Sequence, residues 1–213
     1  MNYKSDFINF MASAEALTFG DFVTKSGRKT PYFVNTGKYS DGVSISRLGQ
    51  FYAACILDNV KITDETVLFG PAYKGISLVV STAIALAEKG INVKYCFNRK
   101  EAKDHGEGGT MVGHKLSKGD KVLIIEDVIT AGTAVREIMP LLQNAGATVE
   151  GLIISVDRME RGKGEITAIQ EIKEEFGILT YPIVNAKEIL KYLHNQNYEL
   201  AARMEAYMKE YCV

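Results

Sequence analysis

The chain has 213 residues, of which 46% are hydrophobic and 24% charged, as expected for a folded domain with a buried core. The formal net charge of −1 excludes an electrostatic attraction to nucleic acid or to a membrane surface, so neither is an expected partner. Cys55, Cys96 and Cys212 are odd in number and form no CxxC pair, which predicts reduced thiols in a cytoplasmic protein. No signal peptide is indicated, the longest apolar stretch is too short to span a bilayer, and the histidines lack the spacing of a zinc site.

Short apolar runs alternate with helical patterns along the chain. After a helix over Tyr3–Ala14 and strands and turns within residues 20–45, the predicted strands are Val67–Phe69, Val93–Phe97, Val122–Ile125, Gly151–Val156 and Ile178–Val184. The predicted helices are Gly75–Glu88, Ala134–Ala145, Ile166–Phe176, Ala186–His194 and Tyr198–Tyr211. Runs without alternation are typical of strands buried on both faces, so the pattern predicts an α/β fold with a central, mostly parallel sheet flanked by helices.

No repeat or linker interrupts the chain, so residues 1–213 are predicted to form a single domain to which residues 1–45 are a small N-terminal addition. Ligands of such folds bind at the carboxyl ends of the strands. The loops after Phe69, Phe97, Ile125 and Val156 are therefore expected to share one cleft.

The most informative segment is Val122–Ala134, where four apolar residues precede two carboxylates, Glu126 and Asp127, and a Thr/Gly-rich loop then opens a helix. Free backbone N–H groups at a helix start, together with the hydroxyls of Thr130 and Thr133, favour a phosphate. The carboxylates are acceptors suited to a diol or to water around a metal. In the alternative interpretation, the carboxylates only end a strand and one of the two threonines caps the helix.

This order of residues resembles the signature of the phosphoribosyltransferases that use phosphoribosyl pyrophosphate (PRPP). The resemblance implies that Glu126 and Asp127 hold the ribose 2′- and 3′-hydroxyls. It also implies Mg²⁺ as a cofactor bound largely by substrate oxygens, with no dedicated metal site in the protein. The residues that it assigns to the 5′-phosphate loop and its approach are Val128, Ile129, Thr130, Ala131, Gly132, Thr133 and Ala134.

Two other loops carry cations. In the turn after Phe69, Lys74 follows Tyr73 among small residues and suits a pyrophosphate oxygen, although an exposed lysine in an ordinary turn is the simpler interpretation. Its spacing is not that of a P-loop. Residues 98–109 are charged and Gly-rich, which favours either a solvated hairpin tip or a lid that closes on pyrophosphate. The lid cations would be Arg99, Lys100, Lys103 and His105.

The lid sequence NRKEAKDHGEGG and the segments Lys25–Lys29 and Pro31–Phe33 extend the resemblance. With them, nearly the whole chain resembles the orotate phosphoribosyltransferases of pyrimidine synthesis. That resemblance implies a type I phosphoribosyltransferase fold whose N-terminal residues form a base-binding hood. It also implies a homodimer in which the lid reaches the neighbouring subunit's site. The orotate contacts would be Lys25, Phe33, Val34, Thr130 and Arg158, and Lys25 would contact PRPP as well.

An arginine fork suits the orotate anion, but Arg158 also lies beside Asp157, Glu160 and Arg161, which could form a surface ion pair instead. Lys103 is the candidate for the main cation at the leaving group, and Asp127 with Glu126 for ribose orientation. Two alternatives remain at this stage. A salvage enzyme for another base would share only the sugar-binding loop, and a regulatory RNA-binding protein on the same fold would need a basic face.

Overall fold

The computed structural model describes residues 3–24, 27–103, 109–162 and 164–213. The strands are β1 (Leu17–Val23), β2 (Lys29–Val34), β3 (Thr66–Gly70), β4 (Lys94–Lys103), β5 (Gly109–Gly113), β6 (Lys121–Val128), β7 (Thr148–Asp157) and β8 (Leu179–Asn185). The helices are α1 (Tyr3–Ser13), α2 (Gly42–Asn59), α3 (Lys74–Ala87), α4 (Thr133–Asn144), α5 (Ala168–Phe176), α6 (Ala186–His194) and α7 (Tyr198–Tyr211), with a short 3-10 helix at Thr36–Lys38.

Six strands form the central sheet in the order β5-β4-β3-β6-β7-β8, and only the β4–β5 pair is antiparallel. The predicted α/β class with a mostly parallel sheet is thereby confirmed. Strand β6 explains why the sequence shows no alternation. Leu123 and Ile125 belong to one hydrophobic cluster, whereas Val122 and Ile124 belong to a second, so both faces of the strand are buried.

The two clusters divide the helices between the faces of the sheet. Helices α1, α2, α3, α6 and α7 contribute to the first cluster, and α4 and α5 to the second. Strands β1 and β2 form a separate antiparallel hairpin, yet Tyr32 of β2 is fully buried in the first cluster with Phe7, Leu68 and Met204. The N-terminal residues therefore pack on the same core as the sheet.

Two parts of the predicted fold differ from the structure. The segment after Phe97 was expected to be a loop, but β4 continues through Lys103 and returns in β5. Helix α2 was not predicted, although Asp41 and Ser44 form a reciprocal capping box at its start. The three cysteines are free thiols, and no helix among the described residues is long and apolar enough to cross a membrane.

Candidate active site

The carboxylate of Asp127 lies at the carboxyl end of β6 and contacts residues from three separate segments. Its Oδ2 atom is 2.7 Å from Lys74 Nζ and accepts a hydrogen bond of 2.8 Å from Thr36 Oγ1, while Oδ1 accepts from Val128 N–H at 2.6 Å. Burial alone would raise the pKa of Asp127, but the hydrogen bonds from Lys74, Val128 and Thr36 outweigh it and hold that pKa below its ordinary value. Asp127 is therefore an oriented anion beside an exposed cation.

Glu126 is the more buried of the two carboxylates, with 9% of its surface exposed. Its Oε1 atom accepts a 2.9 Å hydrogen bond from Asp127 N–H. Burial, with the neighbouring negative charge of Asp127, raises the pKa of Glu126 to about 7. The adjacent acids thus have different environments, which is a frequent mark of a functional site.

Buried hydroxyls hold the backbone of both carboxylates. Tyr52 of α2, which is fully buried, donates from its hydroxyl to the Glu126 carbonyl at 2.7 Å, and Ser155 of β7 donates to the Asp127 carbonyl at 2.6 Å. The end of β6 is therefore fixed from a helix on one side and from the neighbouring strand on the other.

The loop after β6 leads into α4 through Gly132, which is the N-cap residue and has a φ of 68°. Because the cap is a glycine, the helix start has no side-chain cap, and the interpretation of Thr130 or Thr133 as the N-cap is wrong. Thr130, Ala131, Thr133 and Ala134 are exposed, so the first-turn N–H groups and two hydroxyls face solvent where an anion could bind. Val128 and Ile129 are half-buried and pack against the hydrophobic clusters.

Arg136 of α4 braces this loop. Its guanidinium donates to the Ala131 carbonyl at 2.5 Å and to Glu171 and Glu175 of α5 at 3.1 Å and 2.7 Å. A Cβ on Gly132 would lie 3.1 Å from Arg136 Nη1 and 3.0 Å from Ile172 Cδ1. The glycine is therefore required both for its backbone conformation and for this close packing.

Lys74 is the first residue of α3 and follows a very tight turn from β3. A Cβ on Gly70 would lie 2.1 Å from the Gly75 carbonyl oxygen, so the turn closes only with glycine. Asn98 of β4 accepts from Ala72 N–H at 2.8 Å and ties the turn to the neighbouring strand. Tyr73 is 72% exposed, and its ring centre lies 6.0 Å from Lys100 Nζ.

A cavity of about 160 Å³ connects this turn with the N-terminal region. Thr36, Gly37, Tyr39, Ile45, Leu48, Lys74, Ser77, Leu78 and Asp127 line it. Two of the predicted site residues, Lys74 and Asp127, therefore meet in one cavity. The expected cleft is partly assembled from the loops after β3 and β6.

Arg158 follows β7 and lies against β2 rather than against Asp127. Its side chain is only 12% exposed, pairs with Glu160 at 2.6 Å, donates to Thr30 Oγ1 at 3.2 Å and stacks on Tyr32 at 4.2 Å. Glu160 also accepts from the Tyr207 hydroxyl at 2.6 Å and lies 3.5 Å from Arg28. Two arginines thus share one carboxylate beside β2.

The proposed surface ion pair among Asp157, Glu160 and Arg161 is wrong. Asp157 accepts from Met159 N–H, and Glu160 pairs with Arg158 and Arg28. Arg161 instead donates to the Glu210 carbonyl of α7.

The other predicted contacts of the base lie on β2. Phe33 is 41% exposed and its ring stacks at 5.6 Å on Phe22, whereas Val34 is half-buried. Lys25 and His105 lie outside the described residues. Lys103 ends β4, within the predicted lid of residues 98–109, and Arg99 and Lys100 lie on the same strand.

Three residues that the sequence analysis did not single out hold the site together: Thr36, Asn98 and Arg136. Each acts through a contact between segments far apart in sequence, so no local motif marks it. The Arg136–Glu171 pair shows the difficulty, since 35 residues separate its members.

Comparison with known proteins identifies relatives over the whole length. Residues 36–180 match the family described as phosphoribosyl transferase domain. The chain is 55% identical to the orotate phosphoribosyltransferase of Clostridium beijerinckii, covering 98% of this chain and 97% of that protein. It is 50% identical to the enzyme of that name from Pseudomonas aeruginosa, with 98% of each chain covered. The crystal structure of the Francisella tularensis orotate phosphoribosyltransferase superposes with a TM-score of 0.89 at 35% identity, over 98% of this chain and 100% of that one.

Proposed function

The chain belongs to the orotate phosphoribosyltransferase family, and on this premise we propose that it transfers the phosphoribosyl group of PRPP to orotate. The products are orotidine 5′-monophosphate and pyrophosphate, a step of de novo pyrimidine (UMP) biosynthesis. The observation that carries the proposal is the contact of Lys74 with Asp127, which joins a cation at one strand end to an oriented carboxylate at the next. That pair lies one loop away from an uncapped helix start.

In the reaction, the bond between the anomeric carbon and the pyrophosphate oxygen breaks, and a bond forms to a ring nitrogen of orotate. Positive charge develops on the ribose and negative charge on the leaving group. Positioning of the two reactants and stabilisation of these charges supply the rate enhancement, with no covalent nucleophile. Asp127 and Glu126 orient the ribose hydroxyls, the 130–134 loop binds the 5′-phosphate, and Lys74, Tyr73 and the lid cations bind pyrophosphate.

Mg²⁺ is the proposed cofactor, acting as a Lewis acid on the pyrophosphate group. The hydrogen bonds that Asp127 already accepts indicate how Mg²⁺ is bound. Both carboxylate oxygens already accept hydrogen bonds, from Lys74, Thr36 and Val128, which leaves few lone pairs for direct coordination. We therefore propose that the substrate's own oxygens hold the ion.

The base is recognised beneath the hood, by Arg158 with Lys25, Phe33, Val34 and Thr130. Because Arg28 and Arg158 share the single charge of Glu160, the local excess of positive charge favours an anionic base. Phe33 offers an exposed ring for stacking. A salvage enzyme for a neutral base would gain nothing from that charge.

One measurement tests the function. The ultraviolet absorbance of orotate is followed with PRPP and Mg²⁺, and the assay is repeated with uracil and with purine bases. The expected result is loss of the orotate signal only in the complete mixture. If uracil or a purine reacted and orotate did not, the proposal would be wrong and the protein would be a salvage phosphoribosyltransferase.

A homodimer is the proposed assembly, because an apolar surface lies next to the site. Ile45, Ile76, Val80 and Ile84 line a shallow depression of about 470 Å³ together with Tyr73, the neighbour of Lys74. Ile84 is 56% exposed. A second copy seated here would bring its own residues towards the site. Ile84→Asp is expected to give monomers in sedimentation equilibrium, whereas Leu179→Asp, at an exposed apolar residue of β8, is expected to leave the dimer intact.

The lid is proposed to act in the neighbouring subunit's site, with Lys103 at the leaving group. Lys103→Ala should lower kcat on the order of a hundredfold or more with little change in stability. Asp127→Asn should weaken PRPP binding in a titration with Mg²⁺. The two impaired variants are then mixed under conditions of subunit exchange. A lid acting across the interface restores one complete site per mixed dimer, whereas a lid acting within its own subunit restores none.

The three free thiols agree with a reducing compartment, so we propose a cytoplasmic enzyme. We also propose that residues 1–213 form a single domain with residues 1–45 as its hood. The packing of Phe7 and Tyr32 into the cluster of the sheet supports this division.

A further inference from the structure

Thr36, in the N-terminal region, contacts the carboxylate of Asp127 directly. Its Oγ1 atom donates to Asp127 Oδ2 at 2.8 Å and accepts from Lys74 Nζ at 3.1 Å. The same Oδ2 atom lies 2.7 Å from Lys74 Nζ. The Thr36 hydroxyl, the Lys74 ammonium and the Asp127 carboxylate are therefore mutually hydrogen-bonded. Lys74 and Asp127 are the two residues proposed to bind PRPP.

The backbone around Thr36 is well anchored. Thr36 opens the 3-10 helix, and the side chain of the preceding Asn35 caps that helix by accepting from Gly37 N–H at 3.1 Å. Asn35 N–H donates to the Ala16 carbonyl at 2.7 Å, so the segment is tied to the residue just before β1. The hydroxyl is thus presented to Asp127 from a fixed position, directly after the strand that carries Phe33 and Val34.

The two donors to Asp127 Oδ2 differ in their freedom to move. The Lys74 side chain is 62% exposed and belongs to a long, flexible residue, whereas the Asp127 side chain is 15% exposed. A pyrophosphate group in the cavity competes with Asp127 for the Lys74 ammonium. When Lys74 turns to the pyrophosphate, Thr36 is the remaining side-chain donor on Oδ2 among the described residues.

We propose that Thr36 is a positioning residue of the PRPP site, which holds the Asp127 carboxylate towards the ribose hydroxyls while Lys74 binds the pyrophosphate. The inference rests on the proposed function. Without the hydroxyl, Oδ2 would have no side-chain donor once Lys74 has turned to the pyrophosphate, and the bond from Val128 N–H to Oδ1 would remain to hold the carboxylate. A residue of the hood thereby contributes to the sugar site as well as to the base site.

The test compares Thr36→Val, which removes the hydroxyl at constant shape, with Thr36→Ser, which keeps it. Ser40→Ala is the matched control, because Ser40 lies in the same segment, is exposed and makes no contact with Asp127. A hydrogen bond to a charged group predicts that Thr36→Val raises the KM for PRPP roughly tenfold. The KM for orotate should not change, and the unfolding temperature should fall by no more than about 2–6 °C, because the hydrogen bond is also present without ligand.

The dissociation constant of PRPP with Mg²⁺, measured by calorimetry, should rise by the same factor, and Thr36→Ser should restore it. Wild-type PRPP binding in Thr36→Val would overturn the inference. An equal loss in Thr36→Ser would overturn it too, because the methyl group rather than the hydroxyl would then matter. Absence of turnover in the wild type with orotate would reject the proposed function alone, since the calorimetric comparison of PRPP binding does not depend on the base.

Discussion

Glu160 offers a direct test of how the hood is held to the sheet. Its carboxylate pairs with Arg158 at 2.6 Å and with Arg28 at 3.5 Å, and it accepts from the Tyr207 hydroxyl. The side chains of Arg158 and Glu160 are only 12% and 19% exposed. Glu160→Ala would therefore leave two arginines under the hood without a counter-charge. Removing one partner of a buried pair costs about 3 kcal/mol at the lower end of the usual range, which suits a pair with some solvent contact.

For a chain of this length, each 1 kcal/mol lowers the unfolding temperature by about 2–4 °C, so Glu160→Ala should lower it by roughly 6–12 °C. The matched control is Glu65→Ala, because Glu65 pairs with Lys121 at 3.0 Å but is 58% exposed. An exposed pair of this kind contributes less than about 1 kcal/mol. Both variants are compared with the wild type by urea and thermal unfolding at pH 7. A loss in Glu160→Ala no greater than that in Glu65→Ala would refute the reasoning.

Three further outcomes are expected. Gly70→Ala should prevent normal closure of the turn before Lys74, because its Cβ would lie 2.1 Å from a carbonyl oxygen, and PRPP binding measured by titration should fall with it. In Arg136→Met the Ala131 carbonyl loses its guanidinium donor, so the phosphate loop should be held less firmly. The KM for PRPP should then rise several-fold while kcat changes less, and Arg136→Lys should give intermediate values. Burial raises the pKa of Glu126 from 4.5 to about 7, so between these pH values the folded protein holds a proton that the unfolded chain has released. The free energy of unfolding should therefore fall as pH rises from about 4.5 to 7. In urea denaturation, Glu126→Gln should make that fall smaller.

The central sheet could be predicted because its signal is local. Val122–Ile125 is an uninterrupted apolar run, and its two faces prove to be buried in two different clusters. Helix α2 escaped prediction because its start, at Gly42 and Val43, resembles a turn. The extension of β4 to Lys103 was not predicted, because its charged residues do not form an apolar run. They are in a strand because β4 pairs with β5 at the edge of the sheet.

The site divides in the same way. Lys74 and Asp127 were predicted because each follows a recognisable strand, and the carboxyl ends of parallel strands meet. The contacts of Thr36 with Asp127 and of Arg136 with Glu175 depend on how the N-terminal region and α5 pack against the sheet, which no local spacing encodes. Gly132 was predicted only as one member of the phosphate loop, and its left-handed conformation and its packing on Ile172 required the three-dimensional structure.

The burial of Tyr32 and Phe7 limits how base preference in this protein could be re-engineered. Both side chains are completely inaccessible and fill the same core as Leu68 and Met204. Grafting the first 45 residues of an enzyme with another preference would replace those side chains and leave voids or clashes throughout the domain. New selectivity is therefore expected to come from single exchanges at accessible positions such as Phe33, which is 41% exposed, and not from segment transplantation.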